Sequence, residues 1–120
     1  MYDGSALSYA ENVSNTAEIV RMAHAAGVSV EAELGYVGYA SGAESRGTDP
    51  ATVAQFAAET GIDALAVSVG NVHLMTGTGA EIDLDLLRRI GAEAPELPLV
   101  LHGGSGIAPG YSLGAAFFLG

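Results

Sequence analysis

Two histidines in this sequence follow short apolar segments. His73 comes shortly after residues 64–69, and His102 comes directly after residues 97–101. Neutral imidazole is the commonest protein ligand for zinc, and a catalytic zinc ion usually takes three protein ligands. The two histidines could therefore share one metal ion with a third ligand, or they could be hydrogen-bonded structural residues. Their spacing alone leaves both interpretations open.

A glycine-rich turn begins at His102, with the sequence HGGSG. Glycines such as Gly103 let backbone N–H groups approach an anion closely, and Ser105 could add a hydroxyl donor. Because the chain contains four arginines and no lysine, this turn is the best candidate for a phosphate site. The alternative is an ordinary tight turn.

Two glutamates, Glu31 and Glu33, alternate with apolar residues in a segment that has the period of a strand. Burying unpaired carboxylates costs several kcal/mol. On a packed sheet these side chains must therefore meet a cation, face a solvated cavity or have a raised pKa. At an exposed edge they would carry no functional meaning.

The elements that position these residues alternate regularly between helix and strand. Capping patterns and apolar runs predict helices over residues 8–26, 48–61 and 83–93, and strands over residues 28–34, 64–69 and 97–101. Such an order implies parallel β/α units with right-handed crossovers, either in an open doubly wound sheet or in a (β/α)8 barrel. In both folds, functional residues collect at the carboxyl ends of the strands.

The composition excludes several classes of function. A net charge of −10 over 120 residues disfavours nucleic acid and anionic membranes as partners. The absence of lysine excludes a Schiff-base mechanism, and the absence of cysteine excludes disulfides and thiolate zinc sites. No apolar run reaches the roughly 18–20 residues of a membrane span, and the first residues do not resemble a signal peptide. We therefore expect a cytoplasmic protein.

Several segments together resemble the class II (zinc-dependent) fructose- and tagatose-bisphosphate aldolase family. The matching stretches are MYDGSALSYAENV, GVSVEAELGYVG, TDP, TGIDALAVSVGNVH and LPLVLHGGSGI. The resemblance implies a partial (β/α)8 barrel over residues 1–108, from the end of the fourth barrel strand to just past the seventh. Residues 109–120 form a non-matching apolar tail, either an artificial end or a frayed final helix.

The resemblance also implies a reaction and a site. Members cleave a ketose 1,6-bisphosphate reversibly to dihydroxyacetone phosphate and an aldehyde, here glyceraldehyde 3-phosphate, and they are usually homo-oligomers. Zinc is held by three histidines, two of which match His73 and His102. The phosphate-binding turn matches Gly103 and Ser105. Asp3 and Glu33 match acidic positions that hold a second metal position in some members.

The sequence departs from the family pattern at three places. The acid/base aspartate and the first zinc histidine have no match and are expected upstream of Met1, so we expect this chain alone to be inactive. Leu74 stands where many members have glycine. The loop after the first strand is short, with Gly38 and Glu44 as its remnants. Two alternatives remain: a non-catalytic half-barrel that binds metal or sugar phosphate, and an unrelated phosphate-binding α/β domain.

Overall fold

The computed structural model describes residues 1–38, 44–71 and 81–104. Within these ranges, the helices are α1 (Tyr9–Ala25), α2 (Pro50–Thr60) and α3 (Leu84–Glu93). The side-chain oxygens of Ser8, Asp49 and Asp83 accept backbone N–H groups of the first turn of each helix. The first two caps agree with the capping patterns of the sequence, whereas Asp83, predicted as the first helical residue, is the cap of α3. Gly61 ends α2 in the left-handed conformation, at φ 74°.

The described strands are β1 (Glu31–Leu34), β2 (Ala64–Val67) and β3 (Leu99–Val100), which form a parallel sheet in the order β1-β2-β3. The predicted α/β class with parallel units is therefore confirmed. At the other side of β1, Tyr2 makes a parallel bridge to Ala32, and its backbone N–H donates to the carbonyl of Glu31 at 2.9 Å. The first residues of the chain thus continue the sheet beyond β1.

All three strands are shorter than predicted, and β1 shows the physical reason. The pairing of β1 with β2 begins at Glu31 and Ala64. Before that point, the backbone N–H of Val30 bonds the Asp63 side chain at 2.7 Å, so it has no strand partner. Val28, predicted to be a strand residue, is 56% exposed. A strand can extend only as far as its neighbour supplies backbone partners.

The main hydrophobic core lies between the sheet and the helices. It joins residues of all three helices to one face of the strands: Val20, Val53, Phe56, Leu87 and Ile90 from the helices, and Ala32, Leu34, Leu65 and Val67 from β1 and β2. Because side chains alternate along a strand, Glu31 and Glu33 lie on the opposite face. Their register partners on that face are Ala64 and Ala66. No described helix is long and apolar enough to cross a membrane.

Thr48 ties the carboxyl ends of β1 and β2 together. Its buried hydroxyl donates to the carbonyl of Leu34 and accepts from the backbone N–H of Ser68 at 2.9 Å. Its own N–H donates to the carbonyl of Ser68 at 2.9 Å. Gly35 adopts φ +88°, and a Cβ there would approach Thr48 Oγ1 to 2.7 Å, so the turn after β1 requires glycine.

Candidate active site

Asp3 reaches the sheet because the bridge at Tyr2 holds the first residues beside β1. One carboxylate oxygen of Asp3 accepts from the backbone N–H of Ser5 at 2.9 Å and from its hydroxyl at 2.6 Å. These two bonds fix the orientation of the carboxylate. The sequence-predicted carboxylate is therefore held at the edge of β1, just before the turn at residues 5–7 that precedes α1.

Glu33 is almost completely buried, with an exposed fraction of 2%. Burial and the negative charge of Asp3 raise the pKa of Glu33 to about 7, whereas His102 and the backbone N–H of Val37 act in the opposite direction. The carboxyl group also shares a hydrogen bond with Asp3. Of the outcomes that the sequence allowed, the structure gives Glu33 a raised pKa beside a second carboxyl group.

Asn12 supports Glu33 from α1, a role that the sequence analysis missed. Its side-chain amide donates to the carbonyl of Glu33 at 2.9 Å, and its own oxygen accepts from the hydroxyl of Thr16 at 3.0 Å. Gly4 allows this close approach, because a Cβ there would lie 2.4 Å from Asn12 Oδ1. The available sequence signal was the presence of polar Asn12 and Thr16 one turn apart on the buried side of a helix.

His102 is partly buried just after β3, with 22% of its side chain exposed. Its Nε2 lies 2.7 Å from a carboxylate oxygen of Glu31. Fully buried Asn71 holds the main chain at the same point, since its amide donates to the carbonyl of His102 at 2.8 Å and its oxygen accepts from the N–H of Val69 at 2.9 Å. Polar side chains from the start of β1 and from beyond the ends of β2 and β3 thus converge here.

Gly103 adopts φ +71°, a left-handed conformation suited to a turn that presents backbone N–H groups to an anion. Ser105, the other predicted phosphate contact, lies outside the described residues. So do the predicted metal ligand His73, the substitution at Leu74 and the tail over residues 109–120.

Arg46 adds a cation beside Ser5, and it was not identified from the sequence. Its guanidinium donates to the carbonyl of Ser5 at 3.2 Å and stacks 5.6 Å from the ring centre of Tyr36. It borders a pocket of about 240 Å³ that Ser5, Asn12 and Gly35 also line. In the shortened loop nearby, the backbone N–H of Gly38 donates to Ser45 Oγ at 2.9 Å, whereas Glu44 is exposed.

The donor set fits a divalent cation in charge and chemistry. Buried Glu33 and exposed Asp3 place two carboxyl groups side by side, and His102 is close enough to affect the pKa of Glu33. A cation there would compensate the repulsion and the lost hydration. In the part of the chain that is described, no three such side chains are already arranged as a metal-binding group. They are engaged in the pairs Asp3–Glu33 and Glu31–His102 instead.

Known proteins resemble this chain over most of its length. It is 47% identical over 110 residues to a fructose-bisphosphate aldolase of Streptococcus pyogenes serotype M1, covering 89% of this chain and 38% of that protein. It is 44% identical to the Streptococcus pneumoniae R6 enzyme of the same name, covering 100% of this chain and 42% of the relative. The chain thus spans about two-fifths of the length of these relatives.

A solved structure agrees with the sequence matches. The crystal structure of the YdjI aldolase from Escherichia coli K12 superposes with a TM-score of 0.75 at 39% identity, covering 90% of this chain and 37% of that one. The family model of class-II fructose-bisphosphate aldolase matches residues 1–111. Together with the strand-end carboxylates and histidine, these matches show that the chain belongs to the class II fructose-bisphosphate aldolase family.

Proposed function

We propose that this chain is part of a zinc-dependent aldolase that reversibly cleaves fructose or tagatose 1,6-bisphosphate to dihydroxyacetone phosphate and glyceraldehyde 3-phosphate. The observation that carries the proposal is the convergence of Asp3, Glu33 and His102. These residues come from three separate segments of the chain and interact at one face of the sheet. Family membership supplies the reaction class.

Each site residue has a defined role in this proposal. His73 and His102 are zinc ligands, and Asp3 and Glu33 form a second metal position. Gly103 and Ser105 bind a substrate phosphate through the turn after β3. When bound, zinc would supply Lewis-acid chemistry by polarising the substrate ketone. Asn12, Asn71 and Glu31 hold the ligand residues in place through hydrogen bonds, and the fold keeps Glu33 away from bulk water.

The proposal includes the architecture of the whole enzyme. The shared helical face of the three β/α units favours a (β/α)8 barrel over a doubly wound sheet, which carries helices on both faces. We place residues 1–108 between the end of the fourth barrel strand and a point just past the seventh, and residues 109–120 outside the barrel. We further propose a cytoplasmic homo-oligomer. The family's acid/base aspartate has no match in these 120 residues, so they should not catalyse alone.

The first test is zinc binding by isothermal calorimetry on the folded chain and three histidine variants. We expect one zinc ion to bind the parent, and binding to be lost in His73→Ala and His102→Ala. His24→Ala should bind like the parent, because His24 pairs with Asp63 at 2.8 Å near the start of β2. Equal binding by the parent and His102→Ala would contradict the ligand assignment.

Aldol cleavage provides the second test. The 120-residue chain and a longer protein carrying the family's upstream aspartate and histidine should be assayed with both ketose bisphosphates. We expect cleavage by the longer protein only, lost on chelation and restored by zinc. Zinc binding without cleavage by either protein would favour the non-catalytic module. Cleavage by the short chain would disprove the need for the missing aspartate.

A further inference from the structure

Glu31 at the start of β1 makes a direct side-chain contact with His102, a proposed zinc ligand. Its carboxylate lies 2.7 Å from His102 Nε2, although the two residues are 71 positions apart in the chain. Both side chains are mostly shielded, with exposed fractions of 24% and 22%. The contact is therefore less screened by water than a surface pair, and a charge-assisted hydrogen bond in such surroundings orients both groups.

The middle strand makes this contact possible. β2 lies between β1, which carries Glu31, and β3, which precedes His102. On the face that Glu31 shares, β2 presents Ala64 and Ala66, the register partners of Glu31 and Glu33. Alanine is the smallest side chain that a regular strand can carry without the conformational cost of glycine. The Glu31 and His102 side chains can therefore meet above β2 without obstruction.

The hydrogen bond has a chemical consequence for the imidazole. An ionised carboxylate can only accept hydrogen bonds, so the nitrogen that faces Glu31 must carry a proton. In the neutral ring the proton then sits on Nε2, and the lone pair sits on Nδ1. Asn71 fixes the other end of the residue through the carbonyl of His102 at 2.8 Å. Ring tautomer and backbone position are thus set by two different side chains.

We propose that Glu31 is a positioning residue that holds the ring of His102 in the Nε2–H form for metal binding. This inference rests on the proposed function, because it takes His102 as a zinc ligand. Carboxylates that orient a ligating histidine typically change metal affinity about 10–100-fold when they are removed. Glu31 touches neither substrate nor metal in this assignment, and it acts only through the imidazole of His102.

The test combines two readouts on Glu31→Ala. Zinc chloride titrated by calorimetry gives the Kd, and nitrogen-15 spectra of the histidine rings in the metal-free protein, recorded above about pH 8 where free imidazole is neutral, give the tautomer. We expect the Kd to rise about 10–100-fold, and His102 to lose its exclusive Nε2–H form. The ring of His24, which is paired with Asp63, serves as the internal reference and should not change.

Glu59→Ala is the matched control, because it removes the same charge from an exposed position on α2. It should leave both the Kd and the His102 tautomer as in the parent. Unchanged Kd and tautomer in Glu31→Ala would overturn the inference. A weaker Kd with an unchanged tautomer would also overturn it, since Glu31 would then act as a ligand. If the parent binds no zinc, the proposed function fails, while the tautomer still decides whether Glu31 orients His102.

Discussion

Glu33 is a single residue whose ionisation lowers the stability of the folded protein. It is 2% exposed and lies against the carboxyl group of Asp3. Burial and this neighbouring charge favour the protonated form, whereas His102 opposes them. A folded protein that keeps such a group without a cation is less stable when the group ionises. Glu33 therefore reduces stability near neutral pH in the absence of metal.

The pH dependence of this effect can be measured with Glu33→Gln. Glu33 has a pKa of about 7 in the folded protein, against 4.5 for the free group. Its favourable contribution to stability is therefore complete below pH 4.5 and is lost as the pH rises through about 7. This difference corresponds to about 3 kcal/mol. In urea unfolding with a chelator present, the variant should gain about 3 kcal/mol relative to the parent between about pH 4 and pH 8.

The control for this measurement is Glu59→Gln, which changes an exposed carboxylate on α2. Its unfolding free energy relative to the parent should change little over the same pH range. A constant difference between Glu33→Gln and the parent at all pH values would mean that Glu33 ionises normally in the folded protein.

The turn between β1 and α2 shows how one element is joined to the next. Thr48 provides both a donor and an acceptor between the carboxyl ends of β1 and β2, and it is 2% exposed. The hydroxyl replaces ladder hydrogen bonds that the short strands do not make. It thereby keeps the ends of the two strands at a fixed distance.

Replacing Thr48 with valine should destabilise the protein by about 3 kcal/mol. Valine has the same shape but leaves the carbonyl of Leu34 and the N–H of Ser68 unpaired, and each buried unpaired group costs roughly 1–3 kcal/mol. Thr48→Ser retains the hydroxyl and should lose only about 1 kcal/mol for the missing methyl group. Denaturant unfolding of both variants checks this order, and equal losses would refute the role of the hydroxyl.

Helix caps and apolar alternation predicted the helices and strands well, because both signals depend only on neighbouring residues. The predicted helices begin at residues 8, 48 and 83, and the side chains of Ser8, Asp49 and Asp83 cap α1, α2 and α3. The alternation around Glu33 placed it on the strand face opposite Ala32 and Leu34, and the structure has it there. The sequence could not give the Glu31–His102 contact, since it depends on the order of the strands. Nor could it give the true start of β1, which is set by where β2 begins.

At the scale of the whole molecule, the two faces of the sheet differ in the residues they carry. One face packs against the helices and contains the main apolar core, and the other carries the carboxylates and small residues of the site. β2 lies in the middle and its residues 65–67 are at most 1% exposed. β3 has only two residues, both partly exposed.

This arrangement predicts a gradient of hydrogen exchange across the sheet. In the 120-residue chain, the amides of β2 should exchange roughly tenfold or more slowly than those of β3, because opening β2 breaks contacts on both sides. Mass-spectrometric or NMR exchange measurements can resolve the two segments. In a longer protein with a further strand beside β3, the difference should shrink. Equal protection in the short chain would show that the sheet opens as one unit.

The alanines of β2 have a consequence for how this family varies through evolution. A larger side chain at position 64 or 66 would separate Glu31 from His102 without altering either residue. Such a substitution should therefore be tolerated mainly in relatives that also lack glutamate at position 31. In an alignment of homologues, we expect the size of the residues at 64 and 66 to covary with the presence of glutamate at 31, whereas position 59 should vary independently of both.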